Sequence, residues 1–182
     1  MDTKEPPLHL DYLDLSSNHI ASIPDLGKHK DLRVLKLNSN RITVIKGLSK
    51  NKALRILDLS ENVLEEIGGL DNLGLRELYL SNNQIESGKG LSKLEHLRVL
   101  HLALNRIRKL GGLMNLVSLR EVNLAKNNIR HVRQIKYLEN LMYLNNLDLS
   151  YNPLQERKYY RMQIIYKLPM LQLLDGSELS GS

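Results

Sequence analysis

The sequence predicts an α/β solenoid shaped as a horseshoe, with a single parallel sheet on the concave face and short helical or 3-10 segments on the convex face. Three observations predict it. The stretch LRVLKLNSNRI at 32–42 returns as LRVLHLALNRI at 97–107, and the template LxxLxLxxNxI that they share occurs seven times. The Asn positions are 22, 22, 21, 22, 22 and 25 residues apart. Seven registered copies argue against amphipathic helices, which also space leucines at three and four.

Composition supports one domain with an aliphatic core. The chain has 182 residues, no Phe, no Trp and no Cys. No apolar run approaches the roughly 18 residues that a membrane span needs. The N-terminal MDTKEPPLHL lacks the apolar region of a signal peptide. We therefore expect a reducing intracellular compartment and a cytoplasmic protein, with the nucleus or the cilium as alternatives.

Each repeat unit is expected to form one strand and one return segment. In the first unit Leu13 and Leu15 alternate with polar residues, which places them on one face of a short strand. The return segment covers that face with Ile20, Ile23 and Leu26. A single strand of this kind cannot bury its apolar face, so the units must stack.

The recurring Asn is expected to be structural. After each strand the backbone turns inward and leaves polar groups without sheet partners, and a buried amide side chain offers both donors and an acceptor. Stacked from coil to coil, these side chains form an Asn ladder with no catalytic role. Its members are Asn18, Asn40, Asn62, Asn83, Asn105, Asn127 and Asn152.

Residues 10–175 resemble the 22-residue class of leucine-rich repeat, which includes the leucine-rich regulatory subunit of protein phosphatase 1. The ending resembles the C-terminal cap of the spliceosomal A-prime proteins, the acidic leucine-rich nuclear phosphoproteins and an axonemal dynein light chain. That cap pattern is present at Asn152-Pro153, Tyr160-Arg161, Ile164-Ile165, Leu168-Pro169 and Leu174-Asp175. The 25-residue last unit is also similar to leucine-rich repeat regions of guanylate kinase proteins. The resemblance implies protein binding in an intracellular or cytoskeletal setting.

The predicted organisation is a lead-in at 1–9, repeats at 10–151 with six full units and the start of a seventh, a cap at 152–176 and a tail at 177–182. The cap is expected to contain an amphipathic helix from Glu156 to Leu168, with Tyr159, Met162, Ile165 and Leu168 facing inward. It would shield the last coil from end-to-end association, so we expect a monomer.

The strand residues between the leucines form the candidate partner-binding face, because folding does not require their identity. The residues directly before the middle leucine of each template form one row along the sheet, the first lane. It comprises Tyr12, Val34, Ile56, Glu77, Val99, Glu121 and Asn146. The residues between the middle and the last leucine form the second lane. It comprises Asp14, Lys36, Asp58, Tyr79, His101, Asn123 and Asp148. Valine and isoleucine in these lanes also suit strands for reasons of propensity alone. A contact surface is favoured over that alternative, because solenoids commonly bind partners on such a face.

Charge marks a second candidate site. Residues 97–182 hold 13 Lys and Arg against 6 Asp and Glu, whereas residues 1–96 hold 13 against 14. A basic rim is predicted where segments after neighbouring strands stack, and it could attract an acidic partner, a phosphate backbone or an anionic membrane surface. The basic rim comprises Arg106, Arg108, Lys109, Arg130, His131 and Arg133, with Lys136 beside it. Arginines recurring at one template position are interpreted as structural, with stems packed along the coil edge. They are Arg33, Arg55, Arg76, Arg98 and Arg120.

No catalytic motif, metal-ligand cluster or cofactor fingerprint stands out. The sequence lacks GxxxxGK, HExxH and GxSxG, and the pair Glu65-Glu66 has no partner His. Three functions remain open: a non-catalytic scaffold that binds a protein on the concave face, a nucleoprotein component that contacts RNA or an RNA-binding protein, and a targeting region of a guanylate kinase chain.

Overall fold

The computed structural model describes residues 9–179 and is a solenoid built around one nine-stranded sheet. The strands follow each other in sequence order, and the first eight are parallel. Their bounds are β1 Tyr12–Asp14, β2 Val34–Lys36, β3 Ile56–Asp58, β4 Glu77–Tyr79, β5 Val99–His101, β6 Glu121–Asn123, β7 Asn146–Asp148, β8 Leu173–Leu174 and β9 Ser177–Glu178. The predicted fold class is confirmed, with one departure: β9 runs antiparallel to β8.

Register between coils follows the repeat template. Val34 pairs with Tyr12 on one side and with Ile56 on the other. The middle leucines beneath this lane, such as Leu35 and Leu57, have no exposed surface. The convex side carries two 3-10 helices, Gly111–Leu113 and Val132–Tyr137, while the earlier coils return through turns. The aliphatic core therefore runs the length of the stack.

The template asparagines connect neighbouring coils through the backbone. Asn83 Nδ2 donates to the Leu59 carbonyl of the preceding coil at 3.0 Å and to its own Leu80 carbonyl at 3.1 Å. Its Oδ1 accepts from the Leu64 amide at 3.0 Å. Buried asparagines occupy the same slot in the other coils, at Asn40, Asn62, Asn105, Asn127 and Asn152. The rungs of the predicted ladder thus pass through main-chain groups.

Asn18 departs from the expectation of a buried ladder. Its side chain is exposed and donates only within its own coil, to the Leu15 and Ser16 carbonyls. Its position explains the difference, because Asn18 follows the first strand of the sheet, and no earlier coil is described beside it.

The cap differs from its prediction in the phase of its helix. A 3-10 helix spans Pro153–Glu156, and the α-helix, α1, spans only Tyr160–Lys167. Tyr159 separates them with a left-handed φ of 60°. The inward residues are therefore Tyr160, Ile164 and Leu168, of which only Leu168 was predicted. Tyr159, Met162 and Ile165 are exposed, and Glu156 lies in the 3-10 helix instead of opening α1.

The segment predicted as the tail begins with an ordered element. Residues assigned to the tail at 177–182 include Ser177–Glu178, which form β9 and pair with β8. The sheet thus ends in a short hairpin, which places a protective element at the edge of the last coil. Residues 1–8 of the predicted lead-in and 180–182 of the tail lie outside the described part of the chain.

The inter-coil role of Asn83 predicts a stability effect. We expect Asn83→Leu to lower the free energy of unfolding by more than about 1 kcal/mol, because it leaves buried main-chain groups of two coils without partners. Urea denaturation measures the change. Asn18→Leu is the matched control and should have less than half of this effect, since Asn18 is exposed. Equal losses in the two variants would contradict the inter-coil role.

Tyr160 predicts a pH effect in the cap. Burial, followed by the charge of Asp175 and the hydrogen bond to it at 3.0 Å, raises the pKa of Tyr160 above its ordinary value of 10.0. The folded state therefore keeps this proton where the unfolded state releases it, and stability should fall as pH rises above 10.

We expect Tyr160→Phe to flatten that alkaline loss, which urea denaturation between about pH 9 and pH 11 measures. Tyr166→Phe is the matched control, because Tyr166 is 88% exposed. It should keep the wild-type slope. A wild-type slope in Tyr160→Phe would contradict the assignment.

Candidate protein-binding face

The strand register places the two candidate lanes side by side on one face of the sheet. Strand pairing aligns the first lane residue by residue, from Tyr12 to Asn146, and the second lane in the same way, from Asp14 to Asp148. In β2 to β7 the lane residues are half-buried while the leucine or valine between them is buried. We call these fourteen lane residues the concave face.

An apolar strip occupies the N-terminal half of the concave face. Val34 and Ile56 are neighbours across β2 and β3, and Tyr12 adjoins Val34 with 47% of its surface exposed. Val99 stands apart from this strip, because Glu77 lies between it and Ile56. The strip is thus a patch of three side chains, and Val99 is a separate apolar side chain two strands away.

Four side chains brace the centre of the concave face. The Tyr79 hydroxyl donates to Glu77 Oε2 at 2.8 Å, and the Tyr79 ring meets the His101 ring edge-on at 5.0 Å. His101 Nε2 lies 2.7 Å from Glu121 Oε1. Burial, and then the hydrogen bond to Glu77, raises the pKa of Tyr79. The cluster therefore presents a neutral phenol and an imidazole in fixed orientations across β4 to β6.

A second polar group lies at the N-terminal end of the face. The Ser16 hydroxyl and the Ser16 amide both donate to Asp14 and lower the pKa of its carboxyl group. Lys36 Nζ lies 5.8 Å from the centre of the Tyr12 ring, and contact with Tyr12 raises the pKa of Lys36. Tyr12, Asp14 and Lys36 therefore support one another at the exposed end.

The concave face is acidic, although the whole chain carries a net charge of +6. Its ionic side chains are five carboxylates and one lysine, at Asp14, Asp58, Glu77, Glu121, Asp148 and Lys36. The acidic charge of the face is not visible in the charges of the two chain halves. The carboxylates are far apart in sequence and become neighbours only through the 22-residue register. The positive charges accordingly lie elsewhere on the coils.

The residues of the basic rim lie on two neighbouring coils and fall into two environments. The Asn128 amide donates to the Ile107 carbonyl at 2.9 Å, so the segments after β5 and β6 run side by side. Arg106 lines a depression with Glu65, Glu66 and Glu86 of earlier coils, so its surroundings are acidic. Arg108 and Lys109, which follow it, are exposed.

The other half of the rim continues into the cap. His131 and Arg133 line a depression together with Arg157 and Lys158. Arg157 lies beside Arg130, because its Nε donates to the main-chain carbonyl of Arg130 at 3.5 Å. Sequence reasoning missed Arg157 and Lys158, although the basic pair before the cap helix was a usable signal.

The described residues show no arrangement suited to metal or membrane chemistry. Between residues 9 and 179 no three His, Asp or Glu side chains are grouped closely enough to hold a metal ion. No helix in this part of the chain has the length and apolar character to cross a membrane.

Two curated relatives match part of the chain. U2 small nuclear ribonucleoprotein A' of Schizosaccharomyces pombe is 32% identical over 60 residues, which are 33% of this chain and 25% of the relative. Its counterpart from Emericella nidulans is 36% identical over 68 residues, 37% of this chain and 30% of the relative. The matched part of the chain thus spans less than a third of either relative.

Solved structures support the same fold. A leucine-rich repeat protein of Leptospira interrogans superimposes with a TM-score of 0.76 at 26% identity, covering 88% of this chain and 42% of that one. An internalin of Listeria monocytogenes superimposes with a TM-score of 0.68 at 19% identity, covering 91% of this chain and 60% of that one. The second likeness, at this identity, concerns the fold alone.

Family models assign the repeats directly. A model described as leucine-rich repeat matches residues 75–180, and two further leucine-rich repeat models match residues 30–85 and 9–29. The first match alone covers more than half of the chain. Proteins of this family and fold are typically non-catalytic interaction modules. The repeat template, the stacked strands and these matches together show that the chain belongs to the leucine-rich repeat family.

Proposed function

We propose that this protein is a non-catalytic scaffold or adaptor that binds another protein on its concave face. The observation that carries the proposal is the register of the sheet, which aligns fourteen varied side chains above a buried layer of leucines and Val122. The fourteen side chains lie outside the buried core. The residues above it are free to serve recognition, as in other solenoids.

Contact energy is expected to concentrate at two places on this face. One is the strip of Tyr12, Val34 and Ile56, where apolar surface can be buried against a partner. The other is the braced pair Tyr79 and His101, whose fixed rings lose little conformational entropy on binding. Anchors of this type, surrounded by polar residues, are typical of binding hot spots.

The charge of the concave face suggests the chemistry of the partner. Five carboxylates against one lysine favour a partner surface that carries basic side chains beside an apolar patch. The basic rim lies outside this face. Its positive charges can attract acidic regions of the partner, which would orient the partner and raise the association rate. We therefore expect the binding rate to depend on salt concentration more strongly than the dissociation rate does.

A nucleoprotein component is the alternative function. It is supported by the likeness to U2 small nuclear ribonucleoprotein A' over 60 to 68 residues, and by Arg157 and Lys158, which extend the basic rim. This alternative favours the nucleus, whereas the composition indicates only a reducing intracellular compartment. RNA binding that falls steeply with salt concentration would support it, and absence of RNA retention at low salt would contradict it.

The guanylate kinase alternative stays a prediction that rests on the likeness of the 25-residue last unit alone. This alternative concerns whether the repeats belong to a longer chain that also carries a guanylate kinase domain. The proposed binding mode of the concave face is the same whether the repeats act alone or as a targeting region.

The concave face is tested by a triple variant that removes its apolar contacts. We expect Val34→Lys/Ile56→Lys/Val99→Lys to lose the partners that the wild type retains from cell lysate, because each lysine replaces apolar surface and offsets part of the acidic charge of the face. Affinity capture followed by mass spectrometry measures the loss, and thermal unfolding verifies that the variant folds.

The matched control places the same three changes away from the concave face. Val44, Val63 and Val117 are exposed by 51%, 38% and 51%. The variant Val44→Lys/Val63→Lys/Val117→Lys should keep the wild-type partners. Retention of every partner by the folded concave-face variant would contradict the proposal.

A further inference from the structure

Five arginines form a continuous column along the N-terminal ends of the strands. Each stands immediately before a strand, from β2 to β6: Arg33, Arg55, Arg76, Arg98 and Arg120. We call them the arginine column. Each amide from Arg55 onward donates to the carbonyl of the arginine one coil earlier, at 2.7 to 2.8 Å. Neighbouring strands lie about 4.8 Å apart, so the column is about 19 Å long.

The guanidinium groups of this column have no ionic partner in the described part of the chain. The ion pairs between residues 9 and 179 are His9–Asp31, His101–Glu121 and Lys167–Glu139. Arg55 differs from the others, since it is half-buried and its Nη1 donates to the Lys52 and Leu54 carbonyls at 2.9 Å. A structural role therefore suits Arg55, whereas the other four arginines are exposed.

A shallow depression follows the middle of the arginine column. It is lined by Arg55, Arg76 and Arg98, together with Gly74, His96 and Ser118. The Arg55 guanidinium group packs against Gly74, and none of these six residues is acidic. Positive charges repeated at this spacing repel one another, and no ion pair between residues 9 and 179 involves the five arginines. A bound row of anions would lower that repulsion.

We propose that the arginine column binds an extended acidic segment of a polypeptide, laid along the edge of the sheet. Six extended residues span about 20 Å, which matches the column. Alternate side chains of such a segment point the same way, about 6.6 Å apart, so three carboxylates can face the column. Four of its guanidinium groups are exposed, and Arg55 is half-buried. Each carboxylate can then accept paired hydrogen bonds from the arginine forks beside it.

The lining of the depression favours carboxylates over single-stranded nucleic acid. Binding of single strands relies on aromatic side chains against which the bases stack. The depression contains no Tyr, and His96 is its one ring. The column is also bounded, because the corresponding positions of the first and seventh strands are Asp11 and Asn145. A limit of five coils suits a short acidic motif.

This inference goes beyond the proposed function and does not rest on it. The arginine column precedes the strands, whereas the concave face consists of residues within them. Loss of binding to one surface therefore leaves the other intact, and the two proposals can fail separately.

The test measures fluorescence anisotropy of fluorescein-labelled hexaglutamate titrated with the protein at low salt. We expect Arg76→Gln/Arg98→Gln to weaken binding by about tenfold or more, because it removes the fork donors at the middle of the column. The matched control, Arg108→Gln/Arg130→Gln, removes the same charge from exposed positions of the basic rim. It should weaken binding by less than about threefold.

Three results would overturn the proposal. The first is no binding of hexaglutamate to the wild type at low salt. The second is an equal loss of affinity in the column and rim variants, which would mean that net charge alone is responsible. The third is a hexanucleotide of single-stranded RNA that binds more tightly than hexaglutamate and loses that binding in the column variant, which would assign the column to nucleic acid.

Discussion

Hydrogen bonding between neighbouring coils is the constraint on which the structure depends. Strand pairing fixes the register on one side of each turn, and the buried Asn fixes it on the other. In the fourth coil Asn83 holds the Leu59 carbonyl and the Leu64 amide of the coil before it. A shift by one residue would separate these groups and turn leucines such as Leu78 toward water. The exposed lanes are consequently aligned by the same bonds that hold the core together.

This alignment converts sequence distance into surface pattern. Glu77 and Glu121 are 44 residues apart in sequence and flank the same Tyr79–His101 pair, because two coils separate them. The same 22-residue period gathers carboxylates on the concave face and guanidinium groups along its edge. A chain with a net charge of +6 therefore presents an acidic face and a basic edge, which favour different partner chemistry.

The repeats were predictable because one template, written seven times, carries periodicity, burial and polar satisfaction together. The ends were not. Asn18 has the ladder residue type, but its side chain is exposed and bonds only within its own coil, which the template does not reveal. In the cap, the left-handed backbone at Tyr159 precedes a helix that begins only at Tyr160, so Tyr160 and Ile164 face inward in place of Tyr159 and Ile165. The charge pattern of the face also escaped prediction, because it depends on register more than on composition.

Position-specific cross-linking tests most directly whether recognition uses the side chains that register leaves free. The chain has no Cys, so single changes at Ile56→Cys and Val99→Cys on the concave face, and at Val117→Cys away from it, each create one attachment point for a photoactivatable reagent. Our account predicts that the same partner is cross-linked from both concave positions and is not cross-linked from Val117→Cys. Equal cross-linking from all three positions, or cross-linking from Val117→Cys alone, would contradict it.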